Sequence, residues 1–414
     1  MRMRLIPQFL AVLTVAACHL ASAAGNPPAL PGSFPGVSYT NVVVAEVPWS
    51  IQVVQISRAK GLFEIQSRHA GVGALGLATL SAQVLAATTE TREPVAAING
   101  GFYLRENGQT NAYVGCPRGL QIVEGEVLSA PAGNTCLWLD YAGQPHADNV
   151  ASQFEINWPD GRKTPFALNG QRSESGIDLY TPAVGSSTHT VGGRELILEP
   201  QPGGPWLPLR MGRDYPARVR EIRSVGNTPL NSNKMVLSLG PVIMKDFEQL
   251  TTGAVVRIST RSLPDLLTAR NALSGGPLLV RNGRSQKNRA APDAAYEFST
   301  MMERHPRTAF GWNDQSFFLV QVDGRQKDLS LGMTLDELSD YLVKLGCTDA
   351  LNLDGGGSSC LWFEGRVRNN PCDGYERSIA NALLVLGKRP LAGGENLKPK
   401  GAETALEKSR QNGN

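Results

Sequence analysis

The chain carries a carboxylate, three glycines and two hydroxyls in succession, Asp354-Gly355-Gly356-Gly357-Ser358-Ser359, directly after the apolar run Leu351-Asn352-Leu353. A carboxylate delivered by a strand to a cleft can activate water or attack an electrophilic carbon. Glycines behind it let the backbone turn sharply and let another group approach closely. The segment lacks the lysine of a P-loop and the spacing of a dinucleotide fingerprint. Taken alone, it is also compatible with a glycine-rich turn that points an aspartate at solvent.

The same grammar of apolar run, polar residue and glycines occurs twice more, in Pro94–Ile98 followed by Asn99-Gly100-Gly101-Phe102 and in Asn271-Ala272-Leu273-Ser274-Gly275-Gly276-Pro277. Arg304-His305-Pro306-Arg307 precedes the strand-like Phe317–Val322, which ends in Asp323-Gly324-Arg325. Thr334-Leu335-Asp336-Glu337 reads as a capping box, Leu335, Leu338, Leu342 and Leu345 form an apolar helical stripe, and Gly346 is a natural stop. Ala350–Leu353 then reads as another strand. This order predicts a βαβ unit with Asp323 and Asp354 on the same edge of a parallel pair.

Short strands are also expected at Val42–Val44, Ile51–Ile56, Leu62–Ile65, Met235–Leu239 and Ala254–Ile258, with a helix from Thr79 or Ser81 to Thr88. The stretch from Gly119 to Arg257 reads as strand-rich and antiparallel. The predicted fold class is therefore mixed α/β (α+β), a strand-rich domain with a parallel βαβ unit near its C-terminal end.

Met1-Arg2-Met3-Arg4, the apolar Leu5–Ala17 and Ala21-Ser22-Ala23 together read as a signal peptide over residues 1–23. Val15-Ala16-Ala17-Cys18 resembles a lipobox, so a lipoprotein signal over 1–17 with a lipid anchor at Cys18 is the competing expectation. A linker is expected at 24–41, one catalytic domain at 42–387 and a disordered tail at 388–414. The protein is thus expected to be exported, to the periplasm or the cell exterior, either soluble or tethered as a lipoprotein. No later segment has the length and apolarity of a transmembrane helix. The formal charge is +3, or 3 − 2 = +1 without Arg2 and Arg4, which argues against nucleic acid as a partner.

Export makes disulfides plausible. The expected pairs are Cys116 with Cys136 and Cys360 with Cys372, each closing a local loop, with Cys347 a buried thiol at the end of a helix. Neither a Cys-x-x-Cys nor a ligand-spaced histidine cluster points to zinc, and the histidines read as structural.

Ala97–Phe102, Leu273–Pro277, Pro306–Gly311, Asn352–Ser359 and Asn370-Pro371-Cys372-Asp373-Gly374, continuing through Arg377 to Asn381-Ala382-Leu383, together resemble the phosphodiester glycosidase family. The resemblance covers roughly Val42 to Gly387, with the motifs in order. It implies hydrolysis of a sugar-1-phosphodiester, a carbohydrate phosphodiester substrate, and release of the sugar and a phosphomonoester. That chemistry needs a carboxylate at the anomeric centre and cationic groups on the phosphate. Asp354 is the first choice for the carboxylate and Asp323 the second.

Arg307 and Arg377, with Arg325 behind them, are the phosphate candidates, because a guanidinium can offer two parallel hydrogen bonds. The amides of Gly355, Gly356 and Gly357 and the hydroxyls of Ser358 and Ser359 are further donors. Asn99, with Gly100 and Gly101 behind it, and Asn381 are candidates for sugar contacts, and Asp373 for orienting Arg377. No cofactor is required. A divalent cation shared by Asp323 and Asp354 would suit a phosphate substrate, although no ligand spacing demands it. The alternatives are a glycosidase acting on exopolysaccharide and a non-catalytic glycan-binding protein of the envelope.

Overall fold

Short runs of β-branched and aromatic residues, punctuated by Gly, Asn and Asp turns, leave little of the chain for helix. Strands account for 45% of the structure and helices for 9%. The computed structural model describes residues 30–31, 34–59, 61–71, 75–105, 113–287 and 302–388. The leader with Cys18, and residues 389–414 of the expected tail, lie outside them.

Four sheets build the fold. One runs in the order Leu30–Pro31, Val37–Val44, Trp49–Ser57, Ser316–Val322, Arg307–Trp312, Asp349–Asn352, Leu278–Arg281 and Arg284–Ser285. A five-stranded sheet centres on Arg92–Asn99, flanked by Leu361–Phe363 and Asn381–Lys388. A second five-stranded sheet contains Ala269–Ser274 beside Thr135–Asp140. Inner faces of these three meet in one core that includes Val54, Ile98, Leu137, Leu273, Phe310, Leu351 and Leu383.

The fourth sheet, eight strands drawn from Ala151 to Leu263, has its own core around Phe154, Leu196, Tyr215 and Ile258. It is antiparallel except where Ala167–Leu168 pairs with Ile177–Tyr180.

The expectation of a mixed α/β fold with a parallel βαβ unit does not hold. Ser316–Val322 and Asp349–Asn352 are joined by the helix Leu335–Lys344, but they do not pair. Arg307–Trp312 lies between them, antiparallel to both. The helix does form from its capping box, with Thr334 Oγ1 accepting from the Glu337 amide at 3.1 Å and Glu337 accepting from the Thr334 amide at 2.9 Å. It covers the outer face of the sheet through Leu335, Leu338 and Leu342. The linker expectation is also corrected, because the strand Val37–Val44 begins within 24–41 and pairs along its length with Trp49–Ser57.

No disulfide forms among the described cysteines. The expected partners serve different surroundings. Cys116 Sγ donates to the Asn169 carbonyl at 3.3 Å and packs with Tyr113 and Tyr180, while Cys136 lies in the core of the fourth sheet, 3.4 Å from Ser274 Oγ. Cys360 Sγ points to Glu376 and Cys372 Sγ to Asp373. Cys347 is a buried thiol, and burial pushes it up to about 12. Among the described residues, no helix is long and apolar enough to cross a membrane.

Candidate active site

The three Gly-Gly turns converge at the rim where three sheets end. The Asp354 amide donates to the Gly100 carbonyl at 3.0 Å, the Gly100 amide to the Asn381 carbonyl at 2.8 Å, and the Gly276 amide to the Asn352 carbonyl at 2.6 Å. Such close backbone contact excludes side chains. A Cβ on Gly101 would stand 1.7 Å from the Ser274 carbonyl oxygen, and one on Gly355 2.8 Å from the Pro306 oxygen. The glycines therefore bring distant segments of chain together, which a sequence shows only as repeated turns.

A cleft of about 220 Å³ opens at this rim, lined by Phe102, Arg105, Gly276, Pro277, His305, Arg307, Arg325, Leu335, Asn352, Leu353, Asp354, Gly355, Gly356, Gly357 and Arg377. Asp354 is the carboxylate in that wall. Its Oδ1 accepts from the Gly355 amide at 2.9 Å, and its backbone oxygen accepts from Asn99 Nδ2 at 2.7 Å. Burial pushes its carboxyl up to about 6, against the opposing pull of the Ser358 hydroxyl, the Gly355 amide, Arg377 and Arg105. A carboxylate with a pKa near neutrality suits proton transfer at ordinary pH.

Asp323 is elsewhere. It is 1% exposed and absent from the cleft wall. Oδ2 accepts from Ser50 Oγ at 2.8 Å and Gln52 Nε2 at 3.4 Å, and Oδ1 from the Asn370 amide at 2.9 Å and Gln321 Nε2 at 3.3 Å. Burial raises its pKa even against these bonds. Asp323 is an anchor that ties the 370 loop to the sheet. Both of its oxygens are thus engaged by hydrogen bonds. Among the described residues, no group of three His, Cys, Asp or Glu side chains could hold a metal.

Four guanidiniums line the cleft with Asp354. Arg307 is 5% exposed, donates from Nε to the Met333 carbonyl and from an Nη to the Glu303 carbonyl, both at 2.8 Å, and is lowered to about 10 by burial and by Arg325. Arg325 lies beside His305, whose Nδ1 is 3.4 Å from its Nε. Arg377 donates to Asp373 Oδ2 from Nε at 2.9 Å and from Nη2 at 2.6 Å. Burial lowers Arg377, but Asp373 outweighs it and holds the pKa above the usual value. Arg105 completes the set from the exposed side.

The triple glycine has another use than the one expected of it. The Gly355 amide is taken by Asp354 and the Gly356 amide by the Pro306 carbonyl at 2.9 Å, so these two are not free to cradle phosphate. Instead the bare Cα atoms seat guanidiniums. A Cβ on Gly356 would stand 3.1 Å from an Arg325 nitrogen, and one on Gly357 1.8 Å from Arg377 Nη2 and 2.4 Å from Asp373 Oδ2. Gly357→Ala should therefore break the Arg377–Asp373 pair. We expect KM for a phosphate-bearing substrate to rise about tenfold, with thermal stability close to that of Gly365→Ala, a glycine with open space around it. An unchanged KM would contradict this seating.

Asn99 and Asn381, expected at sugar hydroxyls, are 1% and 2% exposed and absent from the cleft wall. Asn99 staples three motifs: Nδ2 reaches Asp354, while Oδ1 accepts from Thr308 Oγ1 at 2.7 Å and the Cys360 amide at 3.0 Å. Asn381 Oδ1 points at Gly100. Ser358 and Ser359 are 3% and 2% exposed, Ser358 reaching the Asp354 carboxyl from beneath.

Sequence reasoning missed Phe102, Arg105, Pro277, His305 and Asn352 as parts of the wall. All but Arg105 stand within or next to a quoted motif, so motif adjacency was the available signal. His305 reads as structural in the sequence, yet it lines the cleft, where burial, Arg307 and Arg325 lower its pKa against the pull of Glu303.

A cleft wall that carries four guanidiniums beside one carboxylate suits a phosphate-bearing ligand. Residues 218–386 match the model of the phosphodiester glycosidase family. That stretch holds Arg307, Asp323, Arg325, Asp354, Asp373, Arg377 and Asn381, whereas Asn99 and Arg105 precede it. The chain is 35% identical over 118 residues to the uncharacterized SPbeta prophage-derived protein YomE of Bacillus subtilis; the match takes in 28% of this chain and only 17% of that one. A protein of Synechocystis shares the fold with a TM-score of 0.68 at 21% identity, over 87% of this chain and 64% of its own. A Burkholderia pseudomallei protein does so with a TM-score of 0.65 at 21% identity, over 81% and 74%.

Proposed function

We propose that this protein hydrolyses the bond between the anomeric carbon of a sugar and the phosphate of a sugar-1-phosphodiester, acting on exported or envelope glycans. The observation that carries the reading is Asp354, held near pKa 6 in a cleft whose wall also carries four guanidiniums. Asp354 takes a proton from the water whose oxygen bonds to C1, or bonds to C1 itself to form a glycosyl ester that water then cleaves, releasing the carboxylate. The C1–O bond breaks with its electron pair on the phosphate oxygen, water supplies the new sugar hydroxyl, and a phosphomonoester departs.

Because that leaving group is already a good acid, with a second pKa of about 6, no second carboxylate has to protonate it. This fits a wall that Asp354 shares with Arg105, Arg307, Arg325 and Arg377. An ordinary glycosidase acting on exopolysaccharide would need a carboxylate pair across the bond, and Asp323 lies outside the cleft. The leader read from Met1 to Ala23 is the support for export.

The test is turnover of a panel of sugar-1-phosphodiesters, including nitrophenyl analogues, read through a coupled phosphatase that attacks only the monoester released. We expect kcat/KM to rise with pH through an apparent pKa of about 6, because the active form of Asp354 is the ionised one. A panel without turnover, with sugar binding intact, would favour a glycan-binding protein instead.

A further inference from the structure

The cleft holds more positive charge than a phosphodiester can use. Arg377 is matched by Asp373. Among the described residues, Arg105 and Arg325 carry no ion pair, and Asp354 is the acidic side chain of the wall. Arg325 is also fixed in place, between His305 Nδ1 on one side and the bare Cα of Gly356 on the other.

A phosphodiester brings one negative charge. The phosphomonoester made from it carries nearly two above a pH of about 6. Moving from substrate to product therefore adds a charge in a cleft where two guanidiniums carry no ion pair among the described residues, and charge-assisted hydrogen bonds to guanidinium are the strong kind.

We propose that Arg105 and Arg325 make this cleft select a phosphate dianion over a monoanion, so that the phosphomonoester product is retained and competes with substrate. The inference deepens the proposed function and rests on it for the word product. It adds a regulator of chemical class RO–PO₃²⁻, set by residues distinct from the carboxylate that does the chemistry.

The experiment is calorimetric titration of the wild-type protein with phenyl phosphate and with methyl phenyl phosphate, which carry the same ring, differ in charge, and contain no sugar to be cleaved. At pH 8 and low salt, phenyl phosphate should bind about tenfold more tightly or better. Arg325→Gln should bring the two to within about twofold, and Arg105→Gln, an exposed position that leaves the fold unaffected, should lower the ratio several-fold. At pH 5, where phenyl phosphate is a monoanion, the ratio should fall toward one. Asp354 also ionises in this span, and its negative charge works against the dianion more than the monoanion, so it lowers the ratio at pH 8 and cannot produce the expected preference.

Equal affinities in the wild-type protein, or a ratio unchanged by both substitutions, would overturn the proposal. Preference for the dianion without turnover of any sugar-1-phosphodiester would remove the proposed function and leave only an anion site. Turnover without that preference would remove this inference alone.

Discussion

Asp354→Asn should abolish most turnover and at the same time make the protein more stable at pH 8. The loss in kcat is expected at about 10²- to 10⁴-fold, the range for removing a positioned acid or base. The gain in stability follows from linkage. The folded carboxyl is raised from 3.8 to about 6 by burial, so the stability it contributes is fully present below its unfolded value and is lost as pH rises through about 6. At pH 8 the ionised group costs on the order of 1 to 3 kcal/mol, the lower figure allowing for its partial exposure. Asparagine can still accept from the Gly355 amide and carries no charge to bury. The stabilities of the two proteins should therefore separate between about pH 4 and 6, stay apart above pH 6 and converge below about pH 4. A variant less stable than wild type at pH 8 would mean that Asp354 holds the fold together rather than serving chemistry.

Gly101→Ala should be the most damaging small substitution in the molecule. Its added Cβ would meet the Ser274 carbonyl oxygen at 1.7 Å and the carbonyl carbon at 2.9 Å. Both atoms are backbone, and Ser274 is itself fixed by its amide bond to the Leu120 carbonyl at 2.8 Å. No rotamer change relieves such a contact, so a sheet end must move. We expect a loss of more than about 4 kcal/mol, a large part of the stability of an ordinary domain, seen as a fall in soluble yield and melting temperature. Gly133→Ala, which meets nothing within 4 Å but has φ +82°, should cost only about 1 kcal/mol. Similar losses at the two positions would show that the turns do not pack as described.

What the sequence made legible follows from range. Local signals worked. The capping box at Thr334 and the apolar stripe behind it specify the helix Leu335–Lys344, and alternating or continuous apolar runs specify strands such as Ser316–Val322 and Met235–Leu239. Pairing was not legible. A strand, helix and strand in succession fix the two strands in direction but not as neighbours, and Arg307–Trp312, read only as a lead-in, inserted itself between them through hydrogen bonds that leave no trace in its own composition.

The same gap explains the site. Asp354, Arg307, Arg325 and Arg377 could be chosen by residue type, and the cleft contains all four. Asp323 follows its strand with the same Asp-Gly signature. Only the hydroxyl and amides waiting at Ser50, Gln52, Gln321 and Asn370 draw it inward. Asn99 reads as a ligand for sugar because it precedes glycines, but its side-chain amide bonds Thr308, Asp354 and Cys360, each more than two hundred residues from it in sequence.

The most direct measurement of the central claim is hydrolysis of a sugar-1-(nitrophenyl phosphate) diester in ¹⁸O-labelled water, with mass spectrometry of both products. Attack at the anomeric carbon, activated by Asp354, puts the label in the sugar and none in the nitrophenyl phosphate. Label found in the phosphate, or direct release of nitrophenol with sugar-1-phosphate, would place the attack at phosphorus and contradict the account.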